Sequence, residues 1–520
     1  MPSVNIDGTS VEFKPGDSIL KTAKKAGIEI PYYCWHPRLS VAANCRICLV
    51  ELEKSPKLVP ACQTPCGDGM VVRTKSDKVK ETQKAVHEFL LINHPIDCPI
   101  CDQAGECKLQ NYYMKLQLDQ GPMQDEKAHK PRLEELGPYV LYNGERCVMC
   151  TRCVRFMEEI AKDRQLGVFE RGDHVRIGVF PNKPLDNPYS LNVVDVCPVG
   201  ALTSSVFRFK QRVWFLSRSP SICPGCAKGC NVKVDHRSGI VYRLLPREND
   251  AVNQSWLCDE GRLTYARAND GRLTTAAMLG PQGVDSAAAN AALDRAIQLL
   301  KPVADSKQGM AAVLSLHATC EEAYLFGRFV KEVCGVDEVA LLAYADGVAD
   351  RFLRQADKNP NRAGVTRVLC DLGLKTTDVA SLCNKATSAV KALLVLGHEG
   401  AELERLAAWA AKLEIVVQVA AARSPLTAKA HVTLPATNWV QADGTWQNGA
   451  LRLQRLVPAF APQDAARPAH EWLADLANGL GVAFALSSPA TIRAEIERRL
   501  PSFAAAKIST VPAEGYSPAS

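Results

Sequence analysis

The stretch His94-Pro-Ile-Asp-Cys98-Pro-Ile-Cys101-Asp-Gln-Ala-Gly-Glu-Cys107 decides how the rest of the chain is read. Its spacing, H-x3-C-x2-C-x5-C, gathers one imidazole and three thiols on a short, turn-rich segment. Soft ligands grouped in this way suit zinc or iron–sulfur clusters, and the neighbouring cysteines must decide between them. A lone histidine is most often structural. One that opens a C-x2-C-x5-C run reads as a ligand, so His94, Cys98, Cys101 and Cys107 form one candidate site.

Upstream, residues 3–12 alternate as a strand does, turn at Asp7-Gly8 and resume through Ser10–Phe13, which predicts a β-hairpin. Ile19–Ala26 is a short amphipathic helix that Gly27 can cap. A loop follows with Cys34, Cys45, Cys48 and, after the strand-like Leu49–Leu52, Cys62. Hairpin, helix and cysteine loop in this order resemble a plant-type [2Fe–2S] ferredoxin domain, although C-x10-C-x2-C is longer than the plant spacing C-x4-C-x2-C. Cys66 is a rival for the fourth thiolate, and Val59-Pro-Ala-Cys62 directly after a strand is the better placed. Residues 76–92 suit an amphipathic helix that delivers His94.

Downstream, Gly121-Pro122, Lys130-Pro131 and Gly137-Pro138 make residues 115–146 read as a connecting segment with little regular core. It leads to Cys147-Val-Met-Cys150-Thr-Arg-Cys153, the C-x2-C-x2-C opening of a bacterial ferredoxin site. Met157 stands where the following cysteine would be, and Cys197-Pro198 can complete a single cubane. The fourth group is Cys223, Cys226, Cys230 and Cys258, spaced C-x2-C-x3-C-x27-C, with strand-like Asn231–Asp235 and Ile240–Leu245 folding back between its halves. Alone, that group could be a zinc ribbon; beside three ferredoxin-like groups, iron is the stronger reading.

Sixteen of the 20 cysteines precede residue 260. In a long chain without a signal-like start, that usage points to metal sites rather than disulfides and to a cytoplasmic protein. No apolar run reaches the roughly 18 residues of a membrane span. A net charge of +6 from 62 basic and 56 acidic residues is too balanced to argue for nucleic acid. After Asn269 the composition turns to alanine and leucine. Helical stretches at 286–301, Glu321–Val333 and Ala401–Leu413 alternate with buried strands at Ala311–Leu316, Ala392–Leu396 and Ile415–Val419, which predicts a parallel α/β layer. No G-x-G-x-x-G or G-x4-G-K-[ST] occurs, so no dinucleotide or phosphate loop is expected. Cys320, Cys334, Cys370 and Cys383 stand singly, and most of them read as small buried hydrophobes.

Taken together, the four ordered groups, with Cys98-Pro-Ile-Cys-Asp-Gln-Ala-Gly-Glu-Cys107 and Asn143-Gly-Glu-Arg-Cys147, resemble the large iron–sulfur subunit of bacterial respiratory complex I, the NADH:quinone oxidoreductase. The match covers residues 1 to about 265. It implies one [2Fe–2S] cluster on Cys34, Cys45, Cys48 and Cys62. It implies three [4Fe–4S] clusters, on His94, Cys98, Cys101 and Cys107; on Cys147, Cys150, Cys153 and Cys197; and on Cys223, Cys226, Cys230 and Cys258. The last is absent from many members and lies apart from the family's main electron path.

The fold implied is α+β, a series of ferredoxin-like iron–sulfur domains, followed by a truncated α/β domain similar to the molybdopterin oxidoreductases. The boundaries expected are 1–78 for the [2Fe–2S] domain, 79–118 for the His/Cys3 segment, 119–215 for the ferredoxin-type domain, 216–270 for a domain of the type that precedes molybdenum cofactors, and 271–520 for the α/β half. Ser315-Leu-His-Ala318-Thr-Cys-Glu-Glu322 looks like the segment where formate dehydrogenases carry the molybdenum ligand, but the aligned residue is Ala318 and Cys320 is two places off. Asp443-Gly-Thr-Trp-Gln-Asn448 resembles a substrate-domain turn and reads as structural here. No molybdopterin is therefore expected, and this half should support rather than catalyse.

The family's role is to pass single electrons from a flavin subunit, which holds NADH and FMN, toward quinone, coupled through other subunits to proton translocation. The expected partners are that flavin subunit, a small [2Fe–2S] subunit and the quinone-arm subunits, on the cytoplasmic side of a bacterial inner membrane, with membrane contact only through the assembled complex. The competing readings are a subunit of a molybdenum-dependent formate dehydrogenase, the electron-transfer subunit of an NAD-reducing hydrogenase, and a zinc-stapled structural protein.

Overall fold

The computed structural model describes residues 1–116, 121, 123–280, 283–484, 488–512 and 515. The expected boundary between residues 118 and 119, and Pro122 of the Gly121-Pro122 break, lie outside the described residues. The chain divides into two compact units, Met1–Leu216 and Ser217–Ser520.

The first unit opens with the hairpin β1 (Ser3–Ile6) and β2 (Thr9–Glu12). Asp7 and Gly8 between them both take positive φ, 50° and 86°, the conformation that lets a two-residue turn follow the strands' twist. Helix α1 (Ile19–Lys25) starts where Ser18 accepts from the Lys21 amide, and Gly27 at φ 73° leads out of it. Strands β3 (Leu49–Leu52), β4 (Val59–Pro60) and β5 (Val71–Arg73) complete a mixed sheet in the order β2-β1-β5-β3-β4. Its inner face buries Val4, Ile6, Val50 and Val72 against Ile19 and Leu20 of α1.

Helices α2 (Asp77–Leu91) and α3 (Lys108–Leu116) flank the His94–Cys107 stretch. Within 115–146, expected to hold little regular core, the structure has β6 (Glu134–Glu135) and β7 (Val140–Tyr142). Strand β7 is internal, with Val140 and Tyr142 buried, because it pairs with β10 (Leu202–Ser204) some sixty residues later in sequence. A three-residue strand is too short to show a period of two, and its partner is non-local. Between them lie α4 (Arg152–Arg155), the hairpin β8 (Leu166–Phe169) and β9 (Arg176–Val179), and α5 (Asn192–Val196).

The second unit begins with an antiparallel meander, β11 (Ser217–Ile222), β12 (Asn231–Arg237) and β13 (Ile240–Pro246), followed by α6 (Asp259–Leu263) and α7 (Tyr265–Asn269). The antiparallel pair β14 (Ala276–Gly280) and β15 (Gly283–Ala287) leads to α8 (Ala289–Ser306). Then come β16 (Met310–Ser315), α9 (Cys320–Arg328), β17 (Glu338–Leu342), α10 (Arg362–Asp371), β18 (Lys375–Asp378), α11 (Val379–Cys383) and β19 (Ala392–Leu396). Helix α12 (Leu403–Ala410) precedes β20 (Ile415–Ala420) and β21 (Val432–Pro435).

These strands form one sheet in the order β15-β14-β21-β20-β19-β16-β17-β18, parallel from β21 to β18. The expected parallel α/β layer is present, and every residue of β19 is buried, as strands covered on both faces require. The Asp443–Asn448 stretch, expected as a turn, is instead centred on a strand, β22 (Gly444–Gln447), which forms a hairpin with β23 (Leu453–Leu456).

Candidate metal centres

All the cysteines are free thiols. In the ferredoxin-like domain, Cys34, Cys48 and Cys62 are buried and Cys45 partly so. The thiols act on one another's protonation, Cys34 with Cys45 and Cys62, and Cys48 with Cys62. That mutual interaction holds Cys34 and Cys48 down and pushes Cys45 and Cys62 up. Ala43 and Arg46 take positive φ, 49° and 58°, on either side of Cys45, curling the loop around the thiols. Cys66 faces elsewhere, its Sγ 3.3 Å from Thr22 Oγ1 on α1.

Cys147, Cys150, Cys153 and Cys197 line one small apolar cavity with Tyr142, Ile177 and Leu202. Met149 and Thr151, alternating with the cysteines, take φ 47° and 57°, and the Met149 amide reaches Cys147 Sγ at 3.4 Å. Such turns of alternating handedness aim backbone N–H groups into a concavity that accepts negative charge. Burial pushes Cys147, Cys150 and Cys197 up to about 11, so ligation must expel their protons.

Cys223, Cys226, Cys230 and Cys258 are buried together, and the charges of the other three act on Cys230. Cys258 caps α6, accepting from the Gly261 amide at 3.3 Å, and the Gly225 amide reaches Cys223 Sγ at 3.4 Å. Glycine is required here: a Cβ on Gly261 would lie 2.8 Å from Cys223 Sγ and 3.2 Å from Cys258 Sγ.

In the stretch 94–107, Cys101 and Cys107 are buried and Cys98 is exposed. Burial pushes Cys107 up to about 11, with the charges of Cys101 and Cys98 adding to it. The groups acting on the His94 ring are different. Burial first, then Arg146 and Lys127, lower it to about 4, so the imidazole is neutral and able to ligate. Arg146 and Asp97 act on both His94 and Cys98.

Among the described residues, no three His, Cys, Asp or Glu side chains close around a single ion. In a multi-iron cluster the ligands are divided among the irons, two on each iron of a [2Fe–2S] unit and one on each iron of a [4Fe–4S] unit, so they need not close around a single ion. Three groups of four thiols on inward-turned backbone, and a fourth group with a neutral imidazole, fit such clusters chemically.

Several residues that shape these centres carry no spacing signal. Arg155 on α4 donates to the carbonyls of Cys34 at 2.6 Å and Cys150 at 3.1 Å. Arg152 donates to those of Trp35 and Val196. Arg146 donates to Asp97 Oδ2 at 2.7 and 3.0 Å, joining the residue before Cys147 to the residue before Cys98. Gly200 packs on Cys101, where a Cβ would come within 2.2 Å of Sγ. The arginines inside Cys150-Thr-Arg-Cys153-Val-Arg155 were the available hint, being charged residues locked into a ligand run.

In the second unit a cavity opens where β16 and β19 end, the point at which the strand order reverses and where α/β sheets bind ligands. Ala318 lines it, offering no ligating atom, together with His317 and Glu399, whose Nδ1 and Oε2 are 3.3 Å apart. Of the single cysteines, Cys320, 3.8 Å from Asn361 Oδ1, and Cys334 are buried as expected, whereas Cys383 is half-buried and Cys370 is exposed.

Four family models match in the same order as the cysteine groups. They are a 2Fe-2S iron–sulfur cluster binding domain over residues 2–77 and an NADH-ubiquinone oxidoreductase-G iron–sulfur binding region over 83–122. A ferredoxin-like domain of NADH-quinone oxidoreductase subunit 3 follows over 137–203, and an NDSU1/NuoG-like 4Fe-4S domain over 220–266. The first half of the chain thus carries a series of domains that match iron–sulfur-cluster-binding families.

Within those families it resembles the G subunit of NADH-quinone oxidoreductase. The Rickettsia conorii protein of that name is 42% identical over 265 residues, which is 51% of this chain and 39% of the relative. The NADH-ubiquinone oxidoreductase 75 kDa subunit of Reclinomonas americana is 45% identical over 267 residues, 51% of this chain and 38% of that one. The aligned region therefore spans about two-fifths of the length of these relatives. A chain from a crystal structure of an NAD+-reducing [NiFe]-hydrogenase in the H2-reduced state also matches, at 26% identity over 41% of this chain and 91% of that chain, with a TM-score of 0.37.

Proposed function

We propose that this chain is the iron–sulfur electron relay of an NADH:quinone oxidoreductase, taking electrons singly from a flavin subunit that oxidises NADH and passing them toward quinone. The observation that carries this reading is order: four cysteine groups and four family matches follow one another in the same sequence along 265 residues.

The residues that would hold the clusters are Cys34, Cys45, Cys48 and Cys62 for a [2Fe–2S] unit. For three [4Fe–4S] units they are His94, Cys98, Cys101 and Cys107; Cys147, Cys150, Cys153 and Cys197; and Cys223, Cys226, Cys230 and Cys258. When bound, such clusters accept and release one electron at a time. The protein's task is to keep them close, dry and at suitable potentials.

Contacts within the first unit support a route through three of the groups. Arg155 links Cys34 to Cys150, and the Lys108 amide, next to Cys107, donates to the Pro198 carbonyl, next to Cys197, at 3.0 Å. The sequence of contact is therefore [2Fe–2S] group, Cys147 group, His94 group. Cys98 is exposed beside the exposed Ile96 and Ile100, which favours that segment as the face where electrons leave for a partner.

The partners in this reading are the flavin subunit with FMN and NADH, a small [2Fe–2S] subunit and the quinone-arm subunits that translocate protons. No helix among the described residues is long and apolar enough to cross a membrane. A peripheral position on the cytoplasmic face of an inner membrane fits that. The α/β half is read as a shortened molybdopterin-oxidoreductase-like domain without its cofactor, with Ala318 where a molybdenum ligand would stand.

Iron, acid-labile sulfide, zinc and molybdenum per chain on anaerobically purified native protein test this. Full occupancy gives about 14 irons, one two-iron and three four-iron clusters, without molybdenum. Stoichiometric zinc in place of iron, or one molybdenum per chain, would overturn the relay reading.

A further inference from the structure

Helix α4 does more than continue the Cys147–Cys153 loop. Its last residue, Arg155, lies between two candidate centres, and its guanidinium makes four hydrogen bonds to backbone and side-chain oxygens from both. Nη2 donates to the carbonyl of Cys34 at 2.6 Å and to that of Cys150 at 3.1 Å, Nη1 donates to the carbonyl of Ser40, and Nε lies 3.4 Å from Thr151 Oγ1. One nitrogen thus bonds a ligand residue from each centre. Around it the two loops are joined again. Asn44 Nδ2 donates to the Met149 carbonyl at 3.1 Å, the Ser40 amide donates to Glu159 at 2.8 Å, and Arg152, one turn back, donates to the carbonyls of Trp35 and Val196.

The geometry points to Arg155 as a positioning residue shared by the [2Fe–2S] group and the Cys147 group, setting the potentials of both and their separation. This rests on the iron–sulfur reading of the preceding section. The physical ground is twofold. A guanidinium is a planar fork that fixes oxygens in direction as well as distance, so it holds the two ligand loops in register where a single-point donor cannot. Its positive charge beside both ligand peptides stabilises each centre more when that centre carries an extra electron, which raises both potentials. Glu159 accepts from the Ser40 amide and hydroxyl, while the hydrogen bonds of Arg155 go to the carbonyls of Cys34, Ser40 and Cys150 and to Thr151 Oγ1.

The test is an EPR-monitored redox titration of the assembled protein carrying Arg155→Gln and Arg155→Lys, with iron per chain measured on each. Arg155→Gln removes the charge and the fork; the two midpoint potentials are expected to fall together. Arg155→Lys keeps the charge; both potentials are expected to return toward the unmodified values. A residue that merely packed the loops would not discriminate between the two replacements by charge.

If Arg155→Gln costs iron, both centres should lose occupancy together, and the lysine variant is titrated in its place. A change confined to one centre, or none in either with iron intact, overturns the proposal. Failure of the underlying reading looks different: the unmodified protein would then show no iron–sulfur signals at all.

Discussion

Residues 93–216 and the sheet of the second unit are built by opposite means. In the first region the strands are two to four residues long, helices α4 and α5 have four and five residues, and many inward-facing groups are thiols or arginine forks on carbonyls. In the second, β19 buries all five of its residues and α8 runs for 18. The sheet can be stabilised by apolar burial alone. The first region also buries apolar side chains, among them Tyr142, Phe156, Met157 and Leu185, but it spreads them over short elements and loops whose ordering costs about 1–2 kcal/mol of backbone entropy per residue. On the iron–sulfur reading proposed above, that region is expected to depend on metal for its fold and the sheet is not.

Removing iron should break the comparison most visibly. Chelation under reducing conditions leaves twelve cysteines in Met1–Leu216 with thiols that burial holds protonated at the Cys147 group, and no bond to tie their loops. Cleavage by a broad protease within 93–216 is expected to rise by more than about tenfold, while a fragment covering the 271–512 sheet survives. Equal protection of both regions before and after chelation would refute a metal-dependent fold.

The converse change strikes the sheet. Leu314, fully buried on the central strand β16, packs in the main apolar cluster. Leu314→Ala should cost about 3 kcal/mol in denaturant unfolding of the second unit. The loss of iron–sulfur absorbance should keep its midpoint if the two regions are stabilised independently.

This contrast also governs what the sequence could reveal. Candidate ligand residues are read easily because a metal demands particular atom types at short spacings; hence four candidate groups could be delimited from Cys34 to Cys258. The long strands β16, β19 and β20, almost wholly apolar apart from Ser315 and Gln418, were equally plain. What escaped was non-local. Strand β7 exists only because β10 pairs with it, and β17 and β18 were not delimited, β18 being largely exposed along Lys375–Asp378. The arginines at 146, 152 and 155 gain a definite role only once the fold places carbonyls and carboxylates around them. Gly200 and Gly261 likewise declare themselves only through the sulfur atoms pressed against them.

A smaller effect sharpens the comparison at the meander β11-β12-β13, which borders the fourth cysteine group in sequence. Asp235 on β12 is buried and held by Arg218 on β11 at 2.6 Å and Arg243 on β13 at 2.8 Å. Burial alone would raise its carboxyl; the two guanidiniums outweigh that and hold it below the usual carboxylate range. A depressed folded value contributes stability above the unfolded value of about 3.9 and loses it as pH falls through the folded one. Asp235→Asn should therefore cost about 2 kcal/mol at pH 7, the scale of a charged hydrogen bond lost in a buried setting. The gap between mutant and parent in thermal unfolding should close as pH falls below about 4. A gap that stays constant down to pH 3 would show that the carboxylate charge is not what matters.

The smallest expected effect bears on the closest choice in the chain, Cys62 against Cys66. Both thiols follow β4, and spacing alone admits either. In the structure the thiols of Cys34 and Cys48 act on that of Cys62, whereas Cys66 turns to Thr22 at 3.3 Å. Cys66→Ala removes one weak sulfur hydrogen bond and should cost about 0.5 kcal/mol, leaving iron and the [2Fe–2S] spectrum unchanged. Cys62→Ser replaces a thiolate with a poor iron ligand and should bleach that spectrum or shift it strongly while the four-iron signals persist. The paired result matters more than either alone, because a loop that repacks could let Cys66 rescue the site. In that event Cys62→Ser would keep its iron, and only the double variant would lose it. Cluster loss in Cys66→Ala with retention in Cys62→Ser would reverse the assignment and move the ligand to the far side of Pro65.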